Sequence, residues 1–327
     1  MALVLALALL FWLVATSALV GGQDAVTTAR ERGVPAYVSA RAARAALSDA
    51  DRAAWQSFRS GAAKLIGPGQ RFRDDPTTAG QNLARIAEVD LGGATGRDLL
   101  RAVNAQVVTY QGLVEQADAT YRQGMEQLGF AYLSYASDLL HGDGGLLARI
   151  DEIAKRDRKA IEDRRHSAWI GTGVALAPVA VAVVLMAVLG YAQVSMARRF
   201  RRVFNGPLLA ACVVLSVLVI WTTVTLVQTD RAFTHAYDKE LSALDRVWQT
   251  QIATADAGAG ALRTGRSADL TGGLNVAAAD RAQQPLTARL ADAADTEGLT
   301  VGLPLLTLAV AGLAAMGFVL RLREYWG

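Results

Sequence analysis

The chain has 327 residues, of which 52% are hydrophobic, and its mean hydropathy is positive. A formal net charge of +3 is spread along the sequence, so we expect no nucleic-acid partner. The single cysteine, Cys212, excludes an intramolecular disulfide, so the fold must be held by packing alone.

The chain begins with an uncharged run, residues 1–23. At about 1.5 Å of rise per residue, such a run is long enough to cross about 30 Å of hydrocarbon as a helix. A cleaved secretory signal is the alternative, but a signal peptide has a basic first region and this run has none. We therefore predict an uncleaved transmembrane anchor.

Residues 21–167 are predicted to be helical throughout, because their apolar residues recur at intervals of three and four. The helix over residues 24–32 should break at Gly33 and Pro35. Ser48 followed by Asp51 forms a capping pattern, which predicts a new helix start at that point.

Glycine and proline place the later boundaries of this segment. Residues 61–70 contain Gly-Pro-Gly and are expected to be irregular, while Asp75 and Pro76 predict an N-cap and first helical residue before a buried stripe. Residues 141–145 should form a turn. From Leu146 a helix can then run unbroken into the second uncharged run.

The strongest periodic signal lies between residues 100 and 139 and is typical of a coiled-coil-like seam. Gly124 and Gly129 weaken its centre, so it is either one long bent helix or two halves that break near Gly124. The seam consists of Leu100, Val103, Val107, Tyr110, Val114, Ala117, Tyr121, Met125, Leu128, Tyr132, Tyr135 and Leu139.

Three further uncharged runs follow, at residues 168–197, 203–229 and 298–320. The turn between the first two carries four arginines, which by the positive-inside tendency should be cytoplasmic. They act either as a topology determinant that contacts lipid headgroups or as a docking site for a cytosolic partner. The four are Arg198, Arg199, Arg201 and Arg202. Residues 230–297 read as a helical hairpin with a turn at 271–273 and a return helix after Pro285.

Together these elements predict an all-α integral membrane protein of the plasma membrane, with four transmembrane helices and an extracytoplasmic helical bundle. Both termini should be cytoplasmic. The predicted boundaries are 1–20, 168–194, 206–228 and 299–320 for the spans, 21–167 and 229–298 for the extracytoplasmic segments, 195–205 for the basic loop and 321–327 for the tail.

The seam tyrosines are the candidate ligand residues. Tyr110, Tyr121, Tyr132 and Tyr135 serve either as core or as part of a ligand cage or interface. In a cage for an amino acid, Arg122 would be the natural partner of the ligand carboxylate.

No catalytic, metal-binding or cofactor-binding constellation is recognisable. His141 precedes Gly142 and Asp143, but no second His or Cys lies at ligand spacing, so we interpret it as a turn residue. No Asp, Glu, Lys, Arg or His falls within the uncharged runs, which disfavours ion-coupled transport. We predict a protein that is not an enzyme and has no cofactor.

Three stretches carry a resemblance to a known family: LSDADRAAWQSF, YQGLVEQADATYRQGMEQLGFAYLSYASDLL and RRFRRVFNGPLLAA. They resemble actinobacterial four-span membrane proteins of the protein kinase G signalling system, which work with a glutamate- or glutamine-binding lipoprotein. The resemblance implies a sensor: a solute-binding lipoprotein reports the amino-acid level and a cytosolic kinase responds. It implies no catalytic residues.

The sequence therefore favours a non-enzymatic sensor or relay that binds an extracytoplasmic solute-binding protein and transmits an amino-acid signal to a cytoplasmic partner. The alternative is an accessory or scaffold subunit of a membrane complex without ligand-dependent signalling. The expected partners are the lipid bilayer, a solute-binding lipoprotein and a cytoplasmic signalling protein, and a second copy of the chain is a further candidate.

Overall fold

The computed structural model describes residues 2–89, 93–169, 179–188, 190–191, 210, 212–221, 223–224, 239–266, 274–294, 305, 307–310, 312–313 and 316. Within these ranges the regular structure is helical and no strand occurs. The principal helices, with the one-turn helix α3 among them, are α1 (Ala2–Thr28), α2 (Val34–Arg59), α3 (Ala63–Ile66), α4 (Gln70–Val89), α5 (Gly93–Arg122), α6 (Glu126–His141), α7 (Leu146–Trp169), α8 (Leu241–Arg263) and α9 (Val276–Ala294).

The chain divides into two compact units. The smaller comprises residues 1–27, 163–235 and 289–327, and the larger comprises residues 28–162 and 236–288. Apolar side chains of the smaller unit bury one another in two clusters. One contains Phe11, Ala15, Ala182 and Leu218, and the other contains Leu185, Leu215 and Val310.

The predicted four-span class is corrected by the structure. In the described ranges, no helix combines the length and the apolar character that crossing a bilayer requires. The integral-membrane class with four transmembrane helices is therefore wrong. The prediction equated each uncharged run with one continuous spanning helix, whereas Phe11 and Leu218, taken from two of those runs, are fully buried against other side chains.

The larger unit is built around α2, which packs against α4, α6 and α8. The predicted break at Gly33 and Pro35 does not occur. The chain makes a single π-helical turn, Ala29–Gly33, and continues directly into α2 with Pro35 in its first turn. Proline is tolerated there because the first N–H groups of a helix have no intrahelical partner.

The capping pattern at Ser48 and Asp51 is also wrong as a helix start. Both residues lie in the middle of α2 and are fully buried. The pattern is misleading because residues of these two types also occur inside helices, where Asp51 accepts a hydrogen bond from Ser137 on α6.

Helix α4 begins at Gln70, before the predicted start at Asp75, and Pro76 lies inside it. Its predicted stripe is confirmed at Leu83 and Ile86, which are buried. The preceding loop is irregular as predicted except for the one-turn helix α3, and Gly67 has a φ of +77°.

The seam breaks, as one of its two alternatives predicted, at Gly124, whose φ is +84°. Helix α6 then packs back on α5 so closely that a Cβ on Gly129 would lie 2.9 Å from Tyr121 Cβ. The turn changes the helical phase. The seam is buried on α5 from Leu100 to Tyr121, whereas Met125 is 45% exposed.

Helix α8 lies in the first arm of the predicted hairpin and has a buried apolar stripe of Leu241, Leu244, Trp248 and Ile252. The predicted turn at residues 271–273 lies outside the described residues. The return helix α9 begins at Val276 rather than after Pro285, which lies inside it.

Candidate functional site

One face of α2 carries polar side chains where a globular helix normally carries its apolar stripe. These residues are spaced by four, three, four and three positions, so they lie on a single side of the helix. We call them the α2 polar face, and they are Tyr37, Arg41, Arg44, Ser48 and Asp51. All five are buried or half-buried, so the face is covered by other helices.

Two arginines of this face hold carboxylates from two other helices. Arg41 Nη1 lies 3.1 Å from Asp151 Oδ1 on α7, and Arg41 Nη2 lies 2.9 Å from Asp245 Oδ1 on α8. Arg44 pairs with the other oxygen of Asp151, and its Nη2 lies 3.6 Å from Asp256 Oδ2 on α8. We call these five residues the arginine cluster. Its side chains are only 14–28% exposed, so water screens the pairs less than on an open surface.

Tyr37 completes the cluster at one end. Its hydroxyl donates to Asp245 Oδ1 at 2.6 Å and accepts from Arg41 Nε at 3.1 Å. Burial and the hydrogen bond to Asp245 raise the pKa of Tyr37, although Arg41 opposes the shift. The phenol therefore remains a neutral donor at physiological pH.

A cleft of about 380 Å³ opens beside the cluster. It is lined by Arg41, Arg44, Asp151, Gln249, Ile252, Ala253 and Asp256. Two buried atoms of these residues, Arg44 Nε and Asp256 Oδ1, have no hydrogen-bond partner among the described residues. Burial lowers the pKa of Arg44, and the nearby Asp256 opposes that shift.

Asp51 forms the inner end of the polar face, where it is fully buried. Its Oδ2 accepts from Ser137 Oγ at 2.9 Å and lies 3.1 Å from His141 Nε2. Burial lowers the pKa of His141, but the hydrogen bond and charge of Asp51, assisted by Asp256, outweigh burial and the net shift is upward. Serine and histidine both contact the carboxylate, with no hydrogen bond from the hydroxyl to the ring, so this is not a nucleophile activated by a base.

Arg52 and Asp49 form a second buried ion pair, and both residues lie on α2. Arg52 is 2% exposed, and its Nε lies 3.1 Å from Asp49 Oδ1. The aliphatic stem of Arg52 fits against α8 because of Gly258, where a Cβ would lie 2.7 Å from Arg52 Cδ. Burial, followed by the charge of Asp49 and a hydrogen bond to it, raises the pKa of Asp75 on α4 to about 7.

The seam residues proposed as ligand contacts are placed at different depths. Tyr110 is fully buried, and Tyr121 is buried with its hydroxyl donating to the Phe58 carbonyl at 3.2 Å. Tyr132 is half-buried and Tyr135 is 64% exposed. The four rings therefore do not share one depth in the bundle.

Arg122 and the basic loop complete the set of predicted site residues. Arg122 Nη2 lies 2.8 Å from Asp118 Oδ2, one helical turn earlier on α5. The four arginines Arg198, Arg199, Arg201 and Arg202 lie outside the described residues, so their predicted roles stay predictions.

No sequence motif points to Arg41, Arg44 or Asp151, and the sequence predicts His141 as a turn residue. His141 does end α6, but its ring reaches back to the buried Asp51 of α2. The sequence feature that could have indicated this site is the helical spacing of polar side chains between residues 37 and 51. The remaining residues of that stretch are mostly alanine. Spacing alone does not show whether such a face meets water or other helices.

Comparison with known families places the site in context. Residues 25–166 match the family model of the actinobacterial sensor domain. No curated protein and no solved structure matched the chain. The match to the sensor domain covers α2 to α6 and most of α7, including Arg41, Arg44, Asp51 and Asp151. The carboxylates of α8 lie beyond it.

The match supports a sensor-type actinobacterial protein and suggests a role in sensing or signalling that is not catalytic. The geometry is compatible with that role, since the matched residues and α8 together bury a network of charged hydrogen bonds between separate helices. In the part of the chain that the structure describes, no group of three or more His, Cys, Asp or Glu side chains is suited to hold a metal ion.

Proposed function

We propose that this protein is a sensor that binds a solute-binding protein and passes an amino-acid signal to a signalling partner. The match to the actinobacterial sensor domain supports the sensing role, and the resemblance of the three sequence stretches supports the class of partner and of signal. The observation that carries the relay is the position of Asp151, whose carboxylate is shared between Arg41 and Arg44.

A shared carboxylate makes the position of one helix depend on another. Asp151 lies on α7, and its two carboxylate oxygens pair with Arg41 and Arg44 of α2. A shift of the two arginines therefore changes the ion pairs that hold α7. The same helix is anchored by apolar side chains, because Ile150 is fully buried and Ile153 is 4% exposed. Packed helices of this kind move between discrete arrangements rather than deforming continuously.

The size of the coupling follows from burial. Removing one partner of a buried ion pair costs roughly 3–5 kcal/mol, because the remaining charge is left without compensation. The arginine cluster is partly exposed, so we expect a smaller cost of about 1–3 kcal/mol when Asp151 is lost. That range is comparable with the coupling free energies of about 1–3 kcal/mol that link two sites in allosteric proteins.

Cross-linking in cells tests the proposal. The full chain, carrying an affinity tag, would be cross-linked and purified from cells grown with abundant glutamine and from cells starved of it, with an unrelated tagged protein as the control. We expect a solute-binding protein to be enriched, and its yield to depend on the amino-acid supply. Reciprocal purification through that protein should recover this chain.

Two results would overturn the proposal. Absence of any solute-binding protein from the purified material would remove the partner. Enrichment that is identical in both growth conditions would remove the amino-acid signal and favour an accessory or scaffold role.

A further inference from the structure

We propose that the cleft beside the arginine cluster binds a neutral zwitterionic amino acid directly, with the ligand carboxylate on Arg44 and the ligand ammonium on Asp256. This inference deepens the proposed sensing function, on which it rests, by assigning a ligand class to the sensor chain itself. It follows from the cleft, from two unpartnered atoms and from the charge balance of the lining.

The two unpartnered atoms have opposite hydrogen-bonding character. Arg44 Nε is a donor and Asp256 Oδ1 is an acceptor, both are buried, and neither has a partner in the described structure. Leaving such groups unsatisfied is costly, more so when they are charged. Because Nη2 of the same arginine lies 3.6 Å from Oδ2 of the same aspartate, one ligand that carries both an acceptor and a donor can serve the two side chains together.

The cleft has room for such a ligand. Its volume of about 380 Å³ falls within the usual range of small-molecule sites. Ile252 and Ala253 supply an apolar part of the lining, against which an aliphatic side chain can pack. Arg44 and Asp256 are 21% and 28% exposed, so both side chains border solvent, and contact of a ligand with their buried atoms would require each side chain to rotate.

The charge balance selects among amino acids. In the arginine cluster, Arg41 and Arg44 face Asp151, Asp245 and Asp256, which leaves one excess negative charge. A zwitterion adds no net charge to this cluster. An acidic amino acid or a simple carboxylate adds a further negative charge, and such like-charge placement is unfavourable in a half-buried site. We therefore expect a preference for neutral amino acids over glutamate.

Ligand binding would also bear on α7. A ligand carboxylate on Arg44 competes with Asp151 for the same guanidinium, since Asp151 already pairs with it. The cleft therefore lies at the contact through which the proposed relay acts.

Calorimetric titration of the purified full chain, with no solute-binding protein present, tests the inference. The probes are L-valine, isovalerate, which lacks the ammonium, isobutylamine, which lacks the carboxylate, and L-glutamate. We expect saturable binding of L-valine to a single site and at least about tenfold weaker binding of the other three, a factor that corresponds to about 1.4 kcal/mol. Equal binding of isovalerate or isobutylamine would overturn the zwitterion assignment, and no saturation by L-valine up to about 10 mM would overturn the site.

Substitutions then locate the site. Asp256→Asn and Arg44→Gln should each weaken L-valine binding by at least about tenfold. The matched controls are Asp98→Asn and Arg101→Gln, an exposed pair on α5 whose side chains are 67% and 79% exposed, and both should bind as the unaltered chain does. Full affinity in Asp256→Asn would overturn the inference. If that variant does not fold, the comparison of probes on the unaltered chain still decides.

The two proposals fail separately. Loss of direct binding while a solute-binding protein still co-purifies would overturn the ligand site alone. Direct binding without any solute-binding protein would overturn the relay partner and leave the site.

Discussion

The acidic contact between α2 and α4 makes a specific prediction about pH. Burial, together with Asp49 of α2, raises the pKa of Asp75 from 3.8 to about 7. Between these pH values the folded chain binds a proton that the unfolded chain releases. The stability that this proton contributes is therefore complete below pH 3.8 and is lost as the pH rises through about 7.

The magnitude follows from the shift. About 3 pKa units correspond to about 4 kcal/mol at full strength. Because Asp75 is only half-buried, solvent screening reduces this to about 2 kcal/mol over the interval from pH 4 to 8. Two other groups act with the same sign. Burial raises the pKa of Asp157 to about 6, and the raised pKa of His141 also makes stability fall as the pH rises.

Asp75→Asn isolates the first contribution, since the amide can still donate to Asp49 but does not titrate. Hydrogen exchange of peptides from α2, corrected for the intrinsic pH dependence of exchange, reports the free energy of opening of the larger unit. We expect the unaltered chain to lose protection of α2 between pH 4 and 8, and the variant to lose about 2 kcal/mol less. Asp98→Asn, at a position of α5 whose side chain is 67% exposed, is the matched control.

Greater protection of α2 at higher pH would contradict the raised pKa of Asp75. An equal loss of protection in Asp75→Asn and in the unaltered chain would contradict it as well.

Four substitutions test the helix contacts through thermal denaturation. Gly258→Ala should destabilise the larger unit by about 1–3 kcal/mol through overlap with Arg52, whereas Gly260→Ala, with nothing within 4 Å of its Cβ, should be neutral or stabilise by about 1 kcal/mol. Equal effects would contradict the close contact. Arg59→Gln should cost about 1 kcal/mol, because Arg59 Nε donates to a carbonyl at the end of α8. Gly124→Ala should cost about 1–2 kcal/mol at its φ of +84°, and an unchanged melting temperature would argue against this turn.

Apolar periodicity located much of the larger unit. The stripes at Leu83 and Ile86 on α4, and at Leu244 and Trp248 on α8, are buried because a helix with one apolar face has to cover it. The same rule identified the first half of the seam on α5. The rule did not identify the buried face of α6. The turn at Gly124 changes the helical phase, and a pattern continued from α5 therefore points to the wrong face.

The candidate site was much harder to anticipate. Its contacts join residues that are far apart in sequence: Tyr37 and Asp245 are separated by 208 positions, and Arg41 and Asp151 by 110. A polar face on a helix usually meets water, and only the positions of α7 and α8 show that this one is covered. For the same reason the spacing of Ser48 and Asp51 predicts a helix start, whereas both residues lie buried inside α2.

Uncharged runs were the least informative signal of all. Length and lack of charge are the conditions for a spanning helix. An uncharged run can meet both conditions and still bury its apolar side chains within the protein, as Phe11 and Leu218 are buried in one cluster. The sequence resemblance identified the sensor class that the match over residues 25–166 supports. The particular signalling system stays a proposal.

The central claim is that binding changes the link between α2 and α7, and hydrogen exchange of α7 tests it most directly. Peptides from Leu146–Trp169 would be compared with and without the solute-binding protein recovered by cross-linking, in the unaltered chain and in Asp151→Asn, with Asp98→Asn as the control. The account predicts that binding changes α7 protection in the unaltered chain and in the control, and that Asp151→Asn binds the partner without that change. Unaltered protection of α7 in the saturated complex, or the same change in Asp151→Asn, would contradict it.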